Sequence, residues 1–161
     1  MINDERLKVA VWEADRHTKA LGMAQKDWER KSIPGSIEEI ERDPEMVRLT
    51  DQILFRFAKL QDAMGLRLIP STLAVLQEPY EEWPMQDRLN RLEQLGFIEV
   101  MRWLEWREIR NRLAHEYPDD GNLRIANLEA AIKASKELAE NYRQWRVQLV
   151  GRNLILPAAH D

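Results

Sequence analysis

Cysteine is absent from this chain of 161 residues, which excludes disulfide scaffolds, thiolate metal sites and cysteine nucleophiles and suits a reducing cytosol. Histidine is nearly absent too: His17, His115 and His160 are the whole supply, with no HExxH spacing, so no metal site and no cofactor is expected. Glycine is scarce, proline sits at apparent boundaries, and no alternating strand pattern, internal repeat or low-complexity linker occurs. No apolar run approaches the roughly 20 residues that cross a bilayer, and the N-terminus, "MINDERLKVAVWEADRH", is charged where a signal peptide is apolar. A soluble, cytoplasmic protein without a membrane partner is the expectation. A basic excess is also missing. Charged residues make up 32% of the chain and the net charge is −4, which argues against a generic nucleic-acid binder, so any RNA role must come from a specific site.

What remains is helical pattern. Leu7, Val11, Ala14, Thr18, Leu21 and Trp28 recur at helical spacing and predict an amphipathic helix over about 4–31. "SIPGS" breaks it, and Ser36 with Glu39 has capping-box spacing. Asp43–Pro44 reads as an N-cap followed by proline at the first helical position, opening a helix that turns Val47, Leu54, Phe57, Leu60 and Met64 inward. Gly65 and Pro70 interrupt or kink it before "STLAVLQ" resumes, with Ser71 as a candidate cap, and "EPYEEWP" is a loop. A helix over 84–95 carries Leu89, Leu92 and Leu95 and stops at Gly96. A further helix is predicted from Phe97 to Tyr117, ended by Pro118 and "DDG", and a last one over about 122–149. The prediction is an all-α bundle of four to five main helices in a single domain over 1–150. Residues 1–44 supply an N-terminal helix and turn, and 151–161 a loose tail in which "LIL" is a candidate for docking.

The stretch "RNRLAHEY", residues 110–117, concentrates hydrogen-bonding and cationic groups around one of the few histidines. On a continuous helix Asn111 and His115 share a face, whereas Arg110 and His115 point about 140° apart. One straight helix does not aim both at a small target, but two copies meeting across a two-fold axis bring both arginines and both histidines to one cleft. A catalytic reading therefore predicts a homodimer. The plain alternative is that arginine and histidine at a helix C-terminus are favoured by the helix dipole alone, by roughly 0.3–1 kcal/mol each.

With its arginine, the asparagine after it, and His115 and Tyr117 in R-x4-H-x-Y register, this stretch resembles the motif of the HEPN superfamily (higher eukaryote and prokaryote nucleotide-binding domains). It looks most like the HepT-type toxins encoded beside minimal nucleotidyltransferases. "ILFRFAKLQDAMG" and "DRLNRLEQLGFI" extend the similarity, which covers roughly residues 45 to 150 and leaves the first 45 without an equally clear counterpart. The resemblance implies a HEPN-type bundle dimerising through the motif-bearing helices, and a metal-independent endoribonuclease toxin of a type VII-like toxin–antitoxin pair. Arg110 and His115 would be the catalytic pair, Asn111 would position the pair or the RNA, and Tyr117 would be the tyrosine that a nucleotidyltransferase antitoxin AMPylates. Some HEPN relatives instead serve as non-catalytic binding subunits for a minimal nucleotidyltransferase, and that is the alternative.

The residue types suit RNA cleavage without metal. Histidine, with an ordinary pKa near 6.5, exchanges protons at working pH, and a permanently charged guanidinium matches a phosphate. The expected product is a 2′,3′-cyclic phosphate or its hydrolysis product. The motif helix is not a basic stripe, since Glu99, Glu105, Glu108 and Glu116 balance Arg102, Arg107, Arg110 and Arg112. Trp103 and Trp106 are expected in the bundle core or a dimer interface, and Trp12, Trp28 and Trp145 in packing. His17 is read as part of the polar face of the first helix, Asp62 as surface polarity, "EEIERDPE" as a solvated acidic turn and His160 as a tail residue.

Overall fold

Local cap chemistry sets several boundaries of this fold. In the computed structural model, which describes residues 1–32, 34–115 and 117–158, every regular element among the described residues is helical. Helix α1 spans Ile2–Glu29, α2 Ile37–Arg42 and α3 Pro44–Ala63. A π-helical turn, Met64–Leu68, joins α3 to α4, Ile69–Val75; then come α5, Met85–Gln94, α6, Val100–Leu113, and α7, Gly121–Gly151.

Ser36 caps α2 by accepting the Glu39 N–H at 3.3 Å, while Glu39 reaches back to the Gly35 N–H at 2.8 Å, a capping box displaced by one residue. Asp43 caps α3 through one carboxylate oxygen that accepts the N–H groups of Glu45 and Met46. Pro70 does not break the chain's course. The π turn shifts the hydrogen-bond register there, with Ile69 N–H donating to the Met64 carbonyl, so Pro70 falls in the first turn of α4. Ser71 is consequently buried inside α4 and caps nothing. Gly96, at φ +84°, takes the left-handed conformation that ends α5.

The core runs through all the long helices. Leu7, Ala14 and Leu21 of α1, Ile53, Phe57 and Leu60 of α3, Trp103 and Trp106 of α6, and Leu138, Tyr142 and Trp145 of α7 are buried in one cluster. α1 packs on α3, α4 and α7, so this helix, which lies outside the resemblance, is central to the bundle. Buried polar groups tie the elements together. Gln25 donates to Ser135 at 2.9 Å, Trp145 to Thr72 at 3.1 Å, and the Tyr142 hydroxyl to the Val11 carbonyl at 3.1 Å.

Four further expectations, on helix bounds and burial, need correction. The motif helix is shorter than 97–117. Phe97 and Ile98 are buried before it, Phe97 packing on Trp145 with ring centroids 5.2 Å apart, and the helix stops at Leu113. The proline at 118 disfavours helical backbone at Tyr117, and the last turn tightens as Ala114 and His115 donate to carbonyls three residues back. On α3, Val47 and Leu54 are half-buried, while Met46, Leu49 and Ile53 take the inward positions. Trp12 is not a packing residue: it is 59% exposed. His17 is not on the polar face; it is buried between α1 and α3. Trp103, Trp106 and Trp145 lie in the core, and Trp28 is half-buried against it. In the tail, Leu154 and Ile155 pack on the core while Leu156 is exposed; His160 lies outside the described residues, as does Glu116.

Candidate active site

The inner side of α6 is built on Trp103 and Trp106, and Arg110 follows them at helical spacing. Two consecutive residues of α3 grip α6 there. Gln61 donates its amide to the Trp106 carbonyl at 2.8 Å, and Asp62 takes the end of the Arg110 guanidinium with both carboxylate oxygens, Nη2 to Oδ2 at 3.2 Å and Nη1 to Oδ1. Nη1 also donates to the Ala58 carbonyl at 3.3 Å. Asp62 is thus a partner of the motif arginine and not a surface polar residue. Nothing local in the sequence signals it, because the two are 48 positions apart. Beneath this pair the chain comes very close to Trp103. A Cβ added at Gly65 would lie 3.3 Å from the indole, which is why this position of the π turn suits glycine. Arg110 and Asn111 line a cleft of about 350 Å³ together with Gln61, Asp62, Gly65 and Arg107.

His115 stands beyond the end of α6 and is exposed, its backbone N–H bonded to the Arg112 carbonyl at 3.2 Å. It lines a different cleft, of about 360 Å³, which Tyr117, Arg112 and Arg124 also border. Tyr117 is half-buried. Arg112 pairs with Glu108 at 2.7 Å, and Arg124 pairs with Glu41.

The motif residues therefore divide into two pairs. Arg110 and Asn111 share one cleft, and His115 and Tyr117 another. The helical-wheel relation between Asn111 and His115 does not hold, since the helix ends between them. Sequence reasoning also missed Arg112 and Arg124, the two cations beside Tyr117, and the second of these comes from α7.

Elsewhere, His17 accepts a hydrogen bond on Nδ1 from Arg56 at 2.9 Å. Burial, and then the positive charge of Arg56, hold its pKa below the ordinary 6.5, so the imidazole is neutral with its proton on Nε2. Among the described residues no group of three or more histidine, aspartate or glutamate side chains is arranged to hold a metal ion. No helix among them is long and apolar enough to cross a membrane. Comparisons with protein-family models, with curated proteins and with solved structures find no match to this chain.

Proposed function

We propose that this chain is a metal-independent endoribonuclease that acts as a homodimer, the toxin of a toxin–antitoxin pair whose partner is a minimal nucleotidyltransferase. The observation that carries the reading is how Arg110 is held. A guanidinium has five N–H donors. Asp62 and the Ala58 carbonyl engage three of them, leaving Nε–H and the second Nη2–H side by side and unengaged among the described residues. Such a pre-oriented two-donor edge is the shape that takes two oxygens of a phosphate.

In the proposed reaction, neutral His115 removes the proton of an RNA 2′-hydroxyl and the 2′-oxygen attacks phosphorus. The P–O5′ bond then breaks as the same imidazole, now protonated, passes that proton to the departing oxygen. The products are a 2′,3′-cyclic phosphate and a 5′-hydroxyl. Arg110 of the partner protomer stabilises the charge on the phosphorus oxygens, and Asn111, in the same cleft as that arginine, positions the strand.

Dimerisation is supported by the division of the motif between two clefts and by the outward side of α6. Met101, 78% exposed, and Leu104 stand there at helical spacing with Glu108 and Asn111. A symmetric contact along this side would bring one protomer's arginine cleft towards the partner's histidine. The nucleotidyltransferase is supported by the setting of Tyr117. Its phenol oxygen, attacking the α-phosphate of ATP with loss of pyrophosphate and the phenolic proton, would gain an adenylyl group whose anion faces Arg112 and Arg124. That bulk beside His115 would block RNA.

The second reading, a non-catalytic binding subunit for the nucleotidyltransferase, is favoured by the same Asp62 carboxylate, which neutralises the arginine a nuclease needs. Purified protein incubated with labelled RNA in EDTA separates the two. The nuclease reading expects fragments with cyclic phosphate ends from wild type and none from Arg110→Ala or His115→Ala at equal dimer content. Intact RNA in all three leaves the binding-subunit reading.

A further inference from the structure

The outward face of α1 and α3 has a feature that the motif does not use. Of all the described aromatic residues, Trp12 and Phe55 alone are exposed, at 59% and 53%, and both lie on this face. Each is covered by cations. The Arg16 guanidinium sits 4.6 Å from the Trp12 ring centre, and Arg56 and Lys59 sit 5.5 and 5.6 Å from that of Phe55. The two groups are joined across the helix pair, because Arg56 also bonds buried His17, the residue next to Arg16. None of these three cations is paired with a carboxylate among the described residues, although such pairs are frequent in the chain. Arg56 has a neutral imidazole as its partner, so its charge is not cancelled. Lys19, exposed one turn beyond Arg16, extends the field; of the acids that border the face, Glu13 is bound to Arg67 at 3.0 Å, and Asp51, exposed one turn before Phe55, stands at its edge.

We propose that this face is a binding track for single-stranded RNA. Bases would stack on Trp12 and Phe55, and Arg16, Arg56 and Lys59 would hold the backbone phosphates. Interleaved aromatic rings and unpaired cations are what a single strand requires, since every base has a stackable face and every linkage a charge. Cations beside exposed rings fit an anionic aromatic polymer better than an apolar protein surface, and this chain is acidic overall, so the local excess of positive charge is not a by-product of composition. The track also leads to the candidate site. Phe55, Lys59 and Asp62 follow one another at positions i, i+4 and i+7 of α3, so about 10 Å of helix rise separates the residue with the exposed ring from the one that holds Arg110. The inference rests on the RNA reading of that site and specifies the form of RNA it takes.

The test uses the full chain in EDTA with fluorescein-labelled 2′-O-methyl oligouridylate, which cannot be cut by its own 2′-oxygen, and ordinary oligouridylate for cleavage. Trp12→Ala and Phe55→Ala are each expected to weaken binding about ten-fold. Arg16→Gln with Lys59→Gln is expected to lower the slope of log affinity against log salt by about 1.4, that is about 0.7 for each phosphate no longer neutralised. All these side chains are exposed, and unchanged unfolding midpoints establish that the variants fold. Wild-type affinity and slope in every variant overturn the track, even if the wild type cleaves RNA normally. Weakened binding in the variants of a wild type that never cleaves keeps the track and removes the nuclease. A shift of the variants from dimer to monomer with RNA affinity unchanged overturns the track in favour of an interface between copies.

Discussion

Arg110 and His115 are five residues apart in sequence and belong to different kinds of structure. The arginine lies on the inner flank of α6, above Trp103 and Trp106, with its guanidinium fixed from α3 by a carboxylate and a carbonyl. The histidine lies past the last helical residue, exposed, on a connection that ends at the Asp120 cap of α7. One half of the motif is set by core packing and the other stands exposed beyond the helix end. In the proposed chemistry this division is useful. A group that stabilises charge gains from being fixed in advance, whereas a group that passes protons must reach two different oxygens.

The largest expected effect is on the exposed half. His115→Ala should reduce cleavage of labelled RNA by about 10²–10⁴-fold, the usual worth of general acid–base catalysis. Because the side chain is exposed, its unfolding free energy in urea should stay within about 0.5 kcal/mol of wild type. The fixed half should show the opposite balance. Trp103→Ala removes a fully buried indole from beneath the Arg110 pair and should cost about 3–5 kcal/mol of stability in the same urea measurement. A small stability loss there would mean that α6 is not seated as described.

Asp62→Ala lies between these extremes. Both partners of the pair are partly exposed, so the stability loss should be no more than roughly 1 kcal/mol. The informative readout is kinetic. Loss of orientation should lower kcat by on the order of ten-fold, while KM for RNA falls or holds because a negative charge has left the cleft. A rise in kcat would mean that Asp62 restrains the arginine instead of aiming it.

The smallest effect tests the α1–α3 junction. His17 has a folded pKa below its unfolded value, so between those two values the unfolded chain binds the additional proton and stability rises with pH. Wild type should therefore lose stability as pH falls through about 6.5, and His17→Gln should show a shallower slope in urea titrations from pH 5 to 7.5. Equal slopes would mean that His17 is not held neutral.

What is legible in the sequence follows the range of the interaction. Asp43–Pro44, Ser36 with Glu39, and Gly96 act on their own neighbours, and the boundaries they mark are found where the residues put them. Helical periodicity reveals the all-α class and most of the core, including Trp103 and Trp106. It overshoots the end of α6 by several residues because the proline at 118 acts upstream as well as at its own position. Trp12 and His17 are exchanged in effect, the ring expected inside standing in solvent and the imidazole expected outside buried. Periodicity in α1 does contain both outcomes: His17, three after Ala14 and four before Leu21, falls on the apolar stripe, and Trp12 falls opposite it. The Asp62 partner of Arg110 is out of reach of any local pattern: the pair exists only once two helices distant in sequence are packed together.

The central claim is that the two halves of the motif work across a dimer, and mixing two inactive variants tests it most directly. Arg110→Ala and His115→Ala chains, each silent alone, are unfolded together, refolded at equal concentration and given labelled RNA in EDTA. If each cleft takes its arginine and histidine from different protomers, mixed dimers retain one complete set, and cleavage on the order of one quarter of wild type should return. A mixture as silent as its components, beside an active wild type treated in the same way, would contradict the account.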